Sequence, residues 1–518
     1  MVQSQDLLIG IDAGTSVIKA VAFTLGGEQV ACSAIPNQYD FGRNGAVTQS
    51  LSITWTECIK ALQALGEEVP NLDRRAAAIA VTGQGDGTWL VGRDNAPVDD
   101  AWIWLDARAA PTVNRLRTSS GERARFEKTG TGLSTCQQGA QLAHMAESHK
   151  EMLQESEAAL HCKDWLYLCL TGVRATDPSE ACFTFGNFRN REYDSDVLGT
   201  LGLLDYRHLL PDIVEGTETT HPLSKEAARL TGLPAGIPVA LGYVDMVMTG
   251  LGAGVYTGST DSACSIIGST GVHMRPVAAD QVVLNTEGTG YIMALPVPGL
   301  VTQMQSNMAA TLNVDWLLGL AAELICDGGT PVGTSDLLDR IDGWLHNSSK
   351  SGLIYHPYIS EAGERGPFID AYARASFIGL NASHGFADLL RAVVDGLGMA
   401  TRDCYGAIGQ MPKEIRLSGG AARSSTIQSV IASSVGAGVR VSERKEAGAA
   451  GAAMMAAVAI GVYADMETCI KEWVSPLLGD IHQPNAEDTE PYAKLYDIYR
   501  ESREALAPLW SKLPSTTQ

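Results

Sequence analysis

Short apolar runs separated by clusters of Gly, Asp, Ser and Thr organise this chain from its first residues. Leu7–Ile11 and Val17–Phe23 are β-type runs around the turn Asp12-Ala13-Gly14-Thr15-Ser16, which predicts a hairpin with a polar tip. Glu28–Pro36 predicts a third strand after the Leu25-Gly26-Gly27 turn. Trp55, Cys58, Ile59, Leu62 and Leu65 recur at helical spacing, predicting a helix capped by Ser52 and ending at Gly66. Ala76–Val81 reads as a buried strand running into Thr82–Gly87. The Pro/Gly segment Leu233–Pro238 leads into an apolar strand ending at Asp245. Gly250–Ser259 is rich in small residues and predicts a hinge between two domains, with Gly250–Gly254 as its core. Past it the opening grammar returns: strand Ser262–Ile267, turn Gly268-Ser269-Thr270-Gly271, strand Val272–Met274. Phe386, Leu389, Leu390, Val393, Val394 and Leu397 mark an amphipathic helix.

Each polar turn is a candidate phosphate cradle. Outward backbone N–H groups with Thr and Ser hydroxyls suit phosphate oxygens, and the Asp12 carboxylate can hold a hydrated Mg²⁺ beside them. A single such hairpin is as readily an ordinary surface turn. Two of them, one per half, would face each other across one cleft.

The length of 518 residues makes two large domains the expectation, and 45% apolar content excludes a disordered chain. The net charge of -21 argues against nucleic acid or an anionic membrane as partner. It does not exclude ATP, which a local cradle of N–H groups can bind. Met1–Asp6 has no basic or long apolar segment, which predicts a cytoplasmic protein. The uncharged runs Gly288–Val314 and Ala447–Ala464 are broken by Pro or only weakly apolar, and the second reads as a buried helix. Ten scattered cysteines without any C-x-x-C spacing read as reduced core thiols. The absence of a Gly-Lys dipeptide excludes a P-loop, and no G-x-G-x-x-G follows a strand as a dinucleotide site requires.

Several segments then line up in order. Ala375–Leu380 with Asp388-Leu389 and Ala392–Asp395 resembles the second signature of the FGGY carbohydrate kinases. Pro357–Arg365 with Arg374 is similar to the lead-in of that signature, and Leu417–Ser424 to the family's adenine-side glycine motif. Glu446–Ala453, Asp12–Thr15 and Trp104-Leu105-Asp106-Ala107-Arg108 fit the same family. An actin-like or chaperone-like ATPase would share the hairpin but leave the signature and the Trp-x-Asp-x-Arg segment unexplained.

The resemblance implies an α/β fold of two actin-like, hexokinase-like (ribonuclease H-like) domains around an ATP/sugar cleft. The expected division is residues 1–254 for the sugar side and 255–475 for the nucleotide side, with 476–518 an unassigned tail. It implies phosphorylation of a terminal hydroxyl of a small neutral polyol or sugar by ATP and Mg²⁺, with Asp245 of Gly242-Tyr243-Val244-Asp245 as general base. Gly14, Thr15, Ser16, Ser269, Thr270, Gly271, Thr311, Gly419, Gly420, Ala421 and Ser424 are the expected nucleotide residues, with Asp12 for the metal. Gln84, Asp86, Trp104, Asp106, Asp177 and Asp245 are the expected acceptor residues. Asp177 before Pro178 and the individual tryptophans also suit plain capping and core packing.

The family's first signature usually carries a Lys that Thr135–Met145 lacks, Met308–Trp316 lacks the usual Gly, and Gln84-Gly85-Asp86 replaces the Gln-Met-His of the xylulose-type loop. Val81–Trp89, His161–Trp165, Ala175–Glu180 and Gln303–Met308 look like the branch that acts on erythritol. A pentulose or a signalling sugar is the alternative acceptor, and a homodimer is left open.

Overall fold

A computed structural model describes residue 3 and residues 5–348 and 352–513. Met1, Val2 and Ser4 of the N-terminus and 514–518 of the expected tail lie outside the described residues.

Two six-stranded mixed sheets carry the molecule. The first is built from β1 (Leu7–Ala13), β2 (Val17–Thr24), β3 (Gln29–Pro36), β4 (Ala76–Gly83), β5 (Thr220–Pro222) and β6 (Pro238–Leu241), in the order β5-β6-β4-β1-β2-β3. The second uses β7 (Ser262–Ile267), β8 (Gly271–Ala278), β9 (Tyr291–Ala294), β10 (Leu300–Asn307), β11 (Glu414–Ser418) and β12 (Gly438–Val441), in the order β9-β10-β8-β7-β11-β12. In each sheet a hairpin opens the unit, and its first strand pairs in parallel with a later one: β1 with β4, β7 with β11. The apolar–turn–apolar pattern therefore builds the same device twice.

Nine helices matter for the site: α1 (Leu51–Glu68), α2 (Cys162–Thr171), α3 (Pro178–Phe185), α4 (Asp245–Ala253), α5 (Thr311–Asp327), α6 (Phe386–Ala407), α7 (Ser425–Val435), α8 (Ala447–Ala459) and α9 (Ala486–Trp510). Helix α1 begins after Ser50 rather than Ser52 and runs two residues past Gly66, whose missing side chain faces open space and so ends nothing. The strand expected to end at Asp245 stops at Leu241, and Asp245 instead opens α4.

Gly250–Gly254 is not a loose hinge. Gly250 and Gly252 lie within α4, where a Cβ on Gly252 would come 2.1 Å from the Ala447 carbonyl oxygen and one on Gly250 2.5 Å from the Met274 sulfur. Gly252 is small because α4 and α8 touch backbone to backbone there, and Gly250 because Met274 of β8 packs against it. Helix α8 also lies on β1, where a Cβ at Gly10 would meet the Ala449 oxygen at 2.1 Å. Most of its side chains are buried, joining Leu8, Val21 and Ala80 of the first sheet in one apolar core. The second half of the chain thus returns to pack on the first sheet. The expected tail is largely one helix, α9, which buries Tyr492, Tyr499 and Trp510 against the second half. All ten cysteines are free thiols. Among the described residues no helix is long and apolar enough to cross a membrane.

Candidate active site

Two turns, the Gln84–Asp86 loop and Asp245 come from the carboxyl ends of parallel strands, where open α/β sheets leave a crevice. Ala13 of β1 pairs with Gly83 of β4, so the Gly14–Ser16 turn and Gln84-Gly85-Asp86 emerge side by side. The β6 strand, parallel to β4, ends at Leu241 and delivers Asp245 four residues later. Opposite them, the Gly268–Gly271 turn leaves β7, and Gly419-Gly420 leaves the adjacent β11.

A cavity of about 250 Å³ lies between these ends. Thr15, Gln84, Asp86, Trp104 and Asp245 line one side, and Thr270, Tyr291, Ser306 and Arg365 the other. Burial pushes the Asp245 carboxyl well above the usual carboxylate range, and the nearby Asp12, Glu180 and Asp86 charges add to the effect. The Met246 amide, at the α4 N-terminus, works the other way.

Asp12, at the end of β1, is pushed up to about 6 by burial, partly offset by Lys19. Lys19 itself bridges to Glu446 at 2.7 Å. A Cβ at Gly448 would come 2.4 Å from Asp12 Oδ2, so the glycine leaves this carboxylate its space. Among the described residues no three His, Cys, Asp or Glu side chains form a metal cluster. A lone carboxylate beside a polar turn is nevertheless a donor set that suits Mg²⁺, which keeps most of its waters.

The Thr15 hydroxyl is already committed: it donates to Gln84 Oε1 at 2.8 Å and accepts from Trp104 Nε1 at 2.8 Å. Gln84 donates to Gln49 Oε1 at 2.6 Å, fixing its amide. Thr15 therefore ties Gln84 and Trp104 together on one wall of the cavity. Gly14 completes that turn, and Ser16 stays exposed. In the second turn Ser269 and Thr270 are exposed, Gly271 is buried, and the amides of Ala310 and Thr311 tie α5 to it through the Ser269 and Gly268 carbonyls. Gly420 lies beside Thr311, where a Cβ would be 4.0 Å from its methyl group. Gly419, at φ 88°, passes the Ile267 carbonyl closely enough to exclude a side chain.

Four predicted side chains are used elsewhere. Ala421 is buried in the core under α6 and α7. The Ser424 hydroxyl caps α7 through the Ile427 amide and donates to Asp342. Asp106, fully buried, accepts from the Val47 amide at 2.8 Å and is gripped by Arg108 at 2.6 Å, leaving no free edge for a sugar hydroxyl. Asp177 caps α3 through the Ser179 amide at 2.7 Å and pairs with the buried Lys163 at 2.5 Å. The Ser179 hydroxyl, donating to Asp177, accepts from the Val244 amide at 3.0 Å, so Asp177 acts on the residue preceding Asp245 rather than on the cavity.

Arg365, Tyr291, Ser306 and Cys136 line the cavity without having been singled out as site residues. The Glu364-Arg365 pair of the signature lead-in was the available signal. Glu364 accepts the amides of Met308 and Arg365, both at 2.8 Å, so its role is to shape the wall.

Residues 7–252 match the N-terminal domain and residues 263–460 the C-terminal domain of the FGGY family of carbohydrate kinases. The chain belongs to this family. It is 61% identical over 515 residues to an erythritol kinase of Brucella abortus, covering 99% of both chains. It is 26% identical over 504 residues to a xylulose kinase of Staphylococcus epidermidis, covering 96% of both. The fold superposes on a xylulose kinase structure from Rhodospirillum rubrum with a TM-score of 0.87 at 23% identity, over 98% of this chain and 100% of the other. This kinase thus has the two-domain α/β sugar-kinase fold that its signatures imply, and ATP is its phosphoryl donor.

Proposed function

We propose that this kinase phosphorylates a terminal hydroxyl of erythritol. The observation that carries the reading is the 61% identity, end to end, with the erythritol kinase of Brucella abortus. The cavity suits the same acceptor. It is small, and its polar groups include Gln84, Asp86, Asp245, Ser306 and Arg365, enough to pair several hydroxyls of a short neutral chain. Trp104 covers one side of it.

In this reading Asp245 accepts the hydroxyl proton as the oxygen bonds to phosphorus. Its raised pKa makes it a stronger base than an ordinary aspartate once ionised. The amides of Gly14–Ser16 and Ser269–Gly271 hold the phosphates from two sides, and Thr311 with Gly419-Gly420 borders the nucleoside. Asp12 would hold Mg²⁺ through water, and the ion would neutralise phosphate charge. Asp86 accepts acceptor hydroxyls, and Thr15 and Gln84 keep that wall rigid.

Coupled ADP release with erythritol, glycerol and D-xylulose tests the acceptor. Erythritol should give the highest kcat/KM. Glycerol, one hydroxymethylene shorter, leaves buried polar groups unpaired, which costs up to about 10⁴-fold in favourable cases. A higher kcat/KM with xylulose would overturn the acceptor and leave the family untouched.

A further inference from the structure

The Asp86 turn is held in an unusual way. Asp86 adopts φ 58°, a left-handed conformation that non-glycine residues avoid unless their surroundings impose it. The next residue, Gly87, donates its amide to the Cys136 carbonyl at 2.9 Å. The Cys136 side chain reaches the same turn, its Sγ lying 3.1 Å from Asp86 Oδ2 and 3.3 Å from Ser134 Oγ. Asp86 Oδ1 is buried and has no hydrogen-bond partner. Both residues line the acceptor cavity. One carboxylate oxygen is thus tied back and the other is left for a ligand.

We propose that Cys136 is a positioning residue for acceptor recognition, its S–H bond to Asp86 Oδ2 setting the carboxylate so that Oδ1 meets a polyol hydroxyl. This rests on the reading of Asp86 as an acceptor-binding group. The geometry needs a thiol rather than a thiolate, since a thiolate would repel the carboxylate. Burial and the Asp86 charge push the Cys136 thiol well up, so it keeps its proton. The other ionisable groups around Asp86 are His161, Arg365, Glu180, Tyr291 and Asp245. Burial raises the Asp86 carboxyl above its usual value, and the thiol, His161 and Arg365 work against that by favouring its ionised form.

A double-mutant cycle on the full chain tests this, with erythritol and ATP as substrates. Cys136→Ala should raise the erythritol KM about fivefold, the size of one modest hydrogen bond, and leave the ATP KM within twofold. Cys136→Ser keeps a donor and should recover most of the loss. Asp86→Ala should raise the erythritol KM further, and adding Cys136→Ala to it should then change little, because the thiol acts through a group already gone. A full fivefold effect of Cys136→Ala on the Asp86→Ala background, or an equal rise in both KM values, would overturn the proposal. A strong effect of Asp86→Ala with none from Cys136→Ala removes the thiol's role alone. No effect of Asp86→Ala removes the reading of the site and the inference with it.

Discussion

Among the carboxylates of this chain, it is the surroundings that decide which can do chemistry. Asp106 and Asp177 are satisfied by Arg108 and Lys163, whereas Asp245 faces the cavity with a pKa raised by burial and by its acidic neighbours. The raised value has a definite sign for catalysis. As the proposed base, Asp245 accepts a proton only when ionised, so its protonation should remove activity, and at higher pH than for an ordinary aspartate. The acid limb of kcat/KM should therefore lie well above the usual carboxylate range. Asp245→Asn keeps the shape and loses the base, so turnover should fall by roughly 10²- to 10⁴-fold while nucleotide binding persists. A pH series of initial rates on both proteins checks this. Near wild-type turnover in the variant would take Asp245 out of the mechanism.

At the level of elements, the hairpins were legible because their apolar runs are continuous and their turns chemically distinctive. So was α8, whose alanines and glycines read as a buried helix. What the sequence could not show was that the Val47 amide, Lys163 and Gln84 reach Asp106, Asp177 and the Thr15 hydroxyl from 59, 14 and 69 residues away; only the near partners, Arg108 and Ser179, were in view. The glycines of 250–254 were misread for a related reason: a glycine needed for close approach and one needed for flexibility look alike in a sequence. Space separates the two. Gly252→Ala would press a Cβ to 2.1 Å from the Ala447 oxygen across the α4–α8 contact and should destabilise by about 1–3 kcal/mol. Gly319→Ala on α5 meets nothing within 4 Å and should stabilise by roughly 0.5–1 kcal/mol through helix propensity. Thermal melts of the two variants should move in opposite directions. A stabilised Gly252→Ala would mean that α4 and α8 are loosely packed.

For the whole molecule, the packing of α8 on the first sheet joins the two halves at the base of the cleft. The cavity lies above, between strand ends that belong to different sheets. Closer to it, Lys19 of β2 and Glu446 ahead of α8 pair beside Asp12, with both side chains partly exposed. A kinase with water in this cavity would transfer phosphate to water, so the acceptor has to help exclude it. The two sheets should therefore approach when the polyol and nucleotide are both bound, sliding on the α4–α8 contact instead of bending at a flexible link. Small-angle scattering can follow this, since a compact chain of 518 residues has a radius of gyration of about 24 Å. Erythritol with a non-hydrolysable ATP analogue should reduce it, and the analogue alone should reduce it less. An unchanged radius in all states would make the cleft rigid, and water exclusion would then fall to the cavity walls, with Trp104 as the side chain best placed to cover the acceptor.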